Sequence, residues 1–180
     1  MTTLTHNELT LRPATNDDIG ARFALGNRPE IHRMFGGDPA DFRELTPEGA
    51  EAWVKTLANE RYGWVIEYMG KLVGSIRLHS VNPMDRRAAM SIGILAPESL
   101  GKGVGTLAMR LVAEHAFGTM DLNRLSVRVL DFNERAIAAY KKVGFQVEGR
   151  ERQAALIAGE WHDDLMMGLL AHEFTAAVSA

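Results

Sequence analysis

Residues Ser99–Leu111 read S-L-G-K-G-V-G-T-L-A-M-R-L. Gly101, Gly103 and Gly105 fall within five residues, and apolar side chains at helical spacing follow at once. Glycine lets a backbone approach a ligand closely. The first N–H groups of a helix have no partners inside it, and the helix dipole favours negative charge there. The stretch therefore predicts an anion site of the kind most often used for phosphate. Val104, Leu107, Ala108, Leu111, Val112 and His115 then share one helix face.

The segments on either side decide what sort of sheet carries this helix. Upstream, Ala88 to Leu95 reads as a strand stopped by Pro97. Before it, Tyr62 to Tyr68 and Leu72 to His79 form a hairpin turning at Met69-Gly70-Lys71, where Gly70 takes a positive φ. Glu8 to Pro13 alternates as a first strand, and Asn16 or Asp17 caps a helix reaching about Asn27. Residues 28–45 read as irregular around the breaker Gly36-Gly37-Asp38-Pro39. Thr46 and Pro47 open another helix, with Ala52, Trp53 and Leu57 on its apolar face. Downstream, Leu125 to Leu130 is a strand, and Asn133 caps a short helix that Gly144 ends. Phe145 to Ile157 and Glu160 to Leu170 are strands joined at Ala158-Gly159. Three consecutive strands precede the glycine helix. The expectation is a single α/β domain, a twisted, mostly antiparallel sheet of about seven strands flanked by helices.

The 180 residues suit one domain, and the formal charge of -3 gives no global basic field for nucleic acid. There is no cysteine, which excludes disulfides, thiolate metal sites and a cysteine nucleophile. The start M-T-T-L-T-H-N-E lacks the pattern of a signal peptide, and no run approaches the ~18 apolar residues of a membrane span. The expectation is a cytoplasmic protein with no membrane or nucleic-acid partner and no metal.

Three ligands compete for the glycine loop. A P-loop needs G-x-x-x-x-G-K-[S/T], which is absent. A dinucleotide fingerprint matches Gly103 to Ala108, with Asp131 after the next strand as a ribose ligand, but Ala96 to Gly101 separate the loop from its strand. The third reading is an acyl-CoA loop. Here A-P-E-S-L-G-K-G-V-G-T resembles the R/Q-x-x-G-x-G/A motif of the GCN5-related N-acetyltransferase (GNAT) superfamily, with Leu100 where that family usually has Arg or Gln. Leu130 to Arg150, L-D-F-N-E-R-A-I-A-A-Y-K-K-V-G-F-Q-V-E-G-R, is similar to the family's second signature, N-x-x-A-x-x-x-Y-x-K-x-G-F. Ala158 to Leu170 is similar to the closing strand of the branch that acetylates ribosomal-protein N-termini, polyamines and amino sugars. The resemblance spans about residues 62–171, the CoA-binding core. Residues 14–60 form a variable acceptor side.

The resemblance implies an N-acetyltransferase with acetyl-CoA as cosubstrate. Leu100, Gly101, Lys102, Gly103, Val104, Gly105 and Thr106 would hold the pyrophosphate. The strands Met90 to Leu95 and Leu125 to Leu130 would splay, and backbone groups of Ile92, Gly93, Ile94 and Leu95 would bind the pantetheine amides and polarise the thioester. Asn133 and Ala136 would contact CoA, and Tyr140 would protonate the departing thiolate. Many relatives place a Glu near the position of Met90, which cannot take a proton, so the base is open among Glu98, His79 and a water chain. With no cysteine, direct attack by a primary amine in a ternary complex is expected.

The acceptor is open among a protein N-terminus, a polyamine, an amino sugar and an antibiotic. Residues 29–60 carry seven acids against three bases, a rim suited to an amine cation or an ordinary solvated face. Trp161, His162 and Asp163 line the pocket, or Trp161 packs or joins a homodimer through an exposed strand. Two further classes stay open: an acyl-CoA-binding module without turnover, and an NAD-dependent oxidoreductase.

Overall fold

A β-hairpin begins the computed structural model, which describes residues 2–174. Strand β1 (Leu4–His6) pairs with β2 (Leu9–Arg12) across a turn in which Asn7 takes φ 49°. Helices α1 (Asp18–Leu25), α2 (Pro29–Met34) and α3 (Pro47–Asn59) follow. Then come β3 (Gly63–Tyr68), β4 (Lys71–Asn82), β5 (Arg87–Ile94), α4 (Val104–Glu114), β6 (Arg124–Leu130), α5 (Glu134–Val143), β7 (Gln146–Ile157) and β8 (Glu160–Leu170). Among the described residues one sheet of eight strands runs β1-β2-β3-β4-β5-β6-β8-β7. It has one strand more than expected, because Leu4–His6 is too short to show alternation.

Two helical expectations change. Residues 28–45 are not irregular throughout: Pro29 at the first position starts α2, and the Gly-Gly-Asp-Pro breaker ends it rather than abolishing it. A 3-10 turn at Pro39–Asp41 follows, capped by Asp38, whose carboxylate accepts the Ala40 N–H at 2.8 Å. In α3 the cap is as expected, with Thr46 Oγ1 accepting the Gly49 N–H at 3.1 Å. The buried face is Ala50, Val54 and Leu57, with Trp53 half-buried and Ala52 exposed. These positions are three and four apart, and Val54 and Leu57 pack with Ala14, Val65 and Leu72. Burial of Val54 or Leu57 contributes roughly 1.5–3 kcal/mol each.

The main core lies between the sheet and α4, and includes Trp64, Ile66, Ile76, Leu78, Met109, Val112, Leu125 and Met167. Helices α1 and α3 cover the opposite face. All strand pairs are antiparallel except β5 with β6. That parallel pairing covers Arg87↔Arg124, Ala88↔Leu125 and Ala89↔Ser126, and then stops. Beyond Ala89 and Ser126 the two strands diverge, β5 staying with β4 and β6 with β8. The sheet therefore opens at its centre, next to the glycine turn that leads into α4.

Candidate active site

The opening between β5 and β6 is part of a cleft of about 830 Å³. Its two sides follow from strand alternation. An added Cβ at Gly105 on α4 would lie 3.5 Å from Ile94 Cγ1 and 3.8 Å from Ile92 Cδ1, so Ile92 and Ile94 face α4. Ala89, Ser91 and Gly93 then face the other way. Register carries that face across the sheet. Arg77 and His79 lie opposite Ser91 and Ala89, Ser126 lies opposite Ala89, and Met166 lies opposite Arg128, with Asp164 two residues away. The cleft thus joins a glycine-lined end beside α4 and α5 to a polar face across the sheet.

At the first end, Gly101 and Gly103 have φ of 76° and 81°, left-handed values that favour glycine. Gly103 is the N-cap of α4, and the first helical bond runs from Leu107 N–H to the Gly103 carbonyl. The N–H groups of Val104, Gly105 and Thr106 lie in the first turn, where the helix itself supplies no acceptor. Leu100, Gly101, Gly103, Val104, Gly105 and Thr106 all line the cleft, whereas Lys102 is exposed and does not.

Of the four residues on and just after β5 expected to offer backbone groups, Ile92, Gly93, Ile94 and Leu95, the last is turned away from the cleft. Leu95 N–H donates to Val73 O at 2.7 Å on β4. Antiparallel alternation turns the backbone groups of Gly93 and Ser91 toward β4 as well. Those of Ile92 and Ile94 therefore face the gap toward β6. Ile92, Gly93 and Ile94 line the cleft; Leu95 does not.

Asn133, Ala136 and Tyr140 form the wall from α5. Asn133 Oδ1 accepts the Ala136 N–H at 3.2 Å, and its Nδ2 donates to Met34 O at 3.3 Å, tying α5 to α2. Tyr140 is buried, its ring edge-on to Phe145 at 5.7 Å. Burial pushes its phenol up to about 12, so it is a protonated donor at neutral pH. Among the described residues nothing hydrogen-bonds its hydroxyl.

Glu98 is not brought to the cleft: it sits exposed on a 3-10 turn at Pro97–Ser99. The acids of residues 29–60 do not line the cleft either. That segment contributes Ile31, Met34, Phe35 and Gly36, and Phe35 lies over Gly93, within 2.7 Å of where its Cβ would be. Trp161 is exposed near the β7–β8 turn, His162 packs edge-on to Phe132, and Asp163 accepts from Arg150 and Gln153. Asp131 is tied to Arg150 at 3.2 Å and lies outside the cleft.

The groups that do reach the polar face are ones the sequence did not single out, His79 apart. Asp164 is 3% exposed. Its carboxyl is raised by burial, with Arg128 at 3.0 Å pulling it partly back. Arg77 donates to Glu60 at 2.6 Å. His79 Nε2 lies 2.9 Å from Ser91 Oγ. The signal for Asp164 and Met166 was the two-residue alternation of the last strand, which places them with Arg128 rather than with Asp163. Among the described residues no group of three or more His, Asp or Glu side chains is disposed to hold a metal ion, and no helix is long and apolar enough to cross a membrane.

Comparison with known proteins agrees with this geometry. Residues 8–146 match the family model described as an acetyltransferase (GNAT) domain. The chain is 30% identical over 171 residues to the spermidine N(1)-acetyltransferase of Escherichia coli (strain K12), covering 94% of this chain and 90% of that one. It is 35% identical over 107 residues to the putative ribosomal N-acetyltransferase YdaF of Bacillus subtilis (strain 168), covering 59% and 58%. Among solved structures, a probable acetyltransferase superposes with a TM-score of 0.80 at 26% identity, covering 97% of this chain and 99% of that one. A spermidine N-acetyltransferase from Vibrio cholerae, solved with CoA and spermine, shares the fold with a TM-score of 0.77 at 24% identity, covering 93% and 98%. With the open sheet, the glycine turn and these relatives in agreement, the chain belongs to the GNAT acetyltransferase family and is an acetyl-CoA-dependent acyltransferase.

Proposed function

We propose that this cleft transfers an acetyl group from acetyl-CoA to a primary amine, by direct attack with both substrates bound. The observation that supports it most is the parting of β5 from β6 beside the glycine turn. A narrow pantetheine arm fits between the diverging strands, and a pyrophosphate fits the first turn of α4. Leu100, Gly101, Gly103, Val104, Gly105 and Thr106 would hold the pyrophosphate. Arg135 and Lys142, cations of α5 that line the cleft, add positive charge on that side. Asn133 and Ala136 border the arm.

The backbone groups of Ile92 and Ile94 face the gap, where an N–H can polarise the thioester carbonyl. Tyr140 keeps its proton well past neutrality and donates it to the sulfur as the C–S bond breaks. The amine would enter from the opposite face, beneath Phe35 and between the Arg77–Glu60 and Arg128–Asp164 pairs. Residues 14–60 would shape that side, and residues 62–171 would form the CoA core. The acceptor would be a polyamine, a protein N-terminus or an amino sugar; the relative named a spermidine N(1)-acetyltransferase supports the first and the one named a putative ribosomal N-acetyltransferase the second. Holding amine and thioester together supplies up to ~7–11 kcal/mol in well-oriented cases.

Calorimetric titration tests the binding half of this reading. Acetyl-CoA is expected to bind with a Kd on the order of micromolar while NADH gives no heat. No heat with acetyl-CoA would overturn it.

A further inference from the structure

The family resemblance leaves the proton of the acceptor amine without a destination, since Met90 is buried core and Glu98 lies outside the cleft. Under the reading above, the acceptor must lose a proton before its nitrogen can attack. Two side chains on the polar face are placed for this. Ser91 lies on β5 two residues past Ala89, the last position paired with β6. It stands at the mouth of the gap on the side facing away from α4. His79 lies on β4 with Nε2 2.9 Å from Ser91 Oγ and Nδ1 3.2 Å from Ser80 Oγ. Both Ser91 and His79 line the cleft.

We infer that Ser91 and His79 form a two-step proton relay, Ser91 taking the acceptor's proton and His79 holding it. A neutral imidazole has one N–H and one bare nitrogen. With Nδ1–H donating to Ser80, Nε2 is free to accept the Ser91 hydroxyl proton. The ammonium of the acceptor passes one proton to Ser91 Oγ as the Ser91 proton passes to Nε2. The freed lone pair then forms the C–N bond at the thioester carbonyl, and the C–S bond breaks with its electron pair on sulfur, which takes the Tyr140 proton. The second amine proton, lost as the amide forms, restores the Tyr140 phenol through solvent. The net products are amide, CoA thiol and one proton released from His79.

The charge environment keeps His79 neutral and ready to accept. Burial depresses the imidazole first, and Arg77 on the same strand adds to this; Glu60, at the end of α3, opposes it. Its hydroxyl partners, Ser80 and Ser91, carry no charge. Below the depressed titration point the relay starts occupied and turnover falls.

The test measures kcat, KM and acetyl-CoA affinity against pH for wild type, His79→Gln, Ser91→Ala and Ser91→Thr. Spermidine, glucosamine and an Ala-initiated peptide serve as acceptor probes. His79→Gln keeps a side chain able to hydrogen-bond Ser91. It is expected to lower kcat about 10²-fold or more at neutral pH and to abolish the acid limb, while acetyl-CoA affinity stays within about two-fold. The defect should shrink at alkaline pH, where more amine arrives unprotonated. Ser91→Ala should show the same pattern and Ser91→Thr, which keeps the hydroxyl, should restore most of the rate. An active His79→Gln protein with an unchanged pH profile, or Ser91→Ala equal to Ser91→Thr, would overturn the relay alone. A wild-type protein that binds acetyl-CoA and acetylates none of the probes would overturn the amine-acetylation reading and the relay with it.

Discussion

The carboxylate of Asp38 accepts a hydrogen bond from the Ala158 N–H at 2.7 Å, joining two segments 120 residues apart. Asp38 follows α2, and Ala158 is the first turn residue between β7 and β8, with φ 52° beside Gly159 at 78°. The bond links the segment that carries Ile31, Met34 and Phe35 to the hairpin that carries Ala155, Asp164 and Met166. Both sets border the acceptor side of the cleft.

Asp38→Ala is therefore expected to raise KM for the acceptor several-fold while acetyl-CoA affinity stays unchanged. Asp38→Asn, which keeps an acceptor oxygen, should lie between. The N–H groups of Ala40 and then Ala158 hold the Asp38 carboxyl below its ordinary value. Its contribution is thus present above the unfolded pKa of about 4 and is lost only as pH falls through the lower folded value. Acceptor KM measured from pH 7 down to pH 5 should show no loosening from this carboxylate.

Tyr140→Phe preserves the ring against Phe145 and removes only the proton donor. The expected result is a fall in kcat of about 10²-fold, with acetyl-CoA Kd within about two-fold and an unchanged melting temperature. Because burial raises the phenol to about 12, it stays protonated across the working range. The wild-type rate should then show no alkaline limb from Tyr140 below about pH 10, the ordinary tyrosine value. Stability linked to this group is complete below that value and declines as pH rises toward 12.

Gly103→Ala separates backbone strain from crowding. Nothing lies within 4 Å of the added Cβ, but φ is 81°. The left-handed conformation costs an alanine roughly 1–2 kcal/mol. Thermal denaturation should register that loss, and calorimetry should show acetyl-CoA binding weakened at least ten-fold as the turn relaxes away from the pyrophosphate.

Gly74→Ala and Gly93→Ala should behave differently although the two glycines are neighbours on paired strands. A Cβ on Gly74 would sit 2.0 Å from the Gly93 carbonyl oxygen, which is backbone and cannot step aside. The expected cost is roughly 3 kcal/mol. A Cβ on Gly93 would meet Phe35 Cζ at 2.7 Å, the far end of an exposed side chain. Phe35 can swing away, so stability should barely change while acceptor KM shifts. Melting curves beside acceptor kinetics distinguish the two.

Local signals carried most of the architecture. The Thr46 and Asn133 caps, the Met69-Gly70 and Ala158-Gly159 turns and the glycine loop are all set by residues adjacent in the chain. These imply a mostly antiparallel sheet flanked by helices; the parting of β5 from β6 is expected only from the family resemblance, and register shows it. The short strand Leu4–His6 is not legible in the sequence because three residues cannot display a period, and its pairing with β2 is what defines it. The acceptor side is the part least legible in the sequence. Its chemistry comes from alternate residues on β4, β5, β6 and β8, whose sharing of one face depends on register between distant segments. For that reason the sequence points to Asp163 and passes over Asp164, and it offers Glu98 beside the loop although the 3-10 turn leaves that side chain in solvent.

The most direct measurement incubates the protein with acetyl-CoA and, separately, spermidine, glucosamine and an Ala-initiated peptide, and follows thiol release together with the mass of each amine. The account predicts that at least one amine gains a single acetyl group on nitrogen, with one CoA thiol released per product and with loss of this activity in Tyr140→Phe. Thiol released without an acetylated amine, or an acetylated amine formed equally well by Tyr140→Phe, would contradict it.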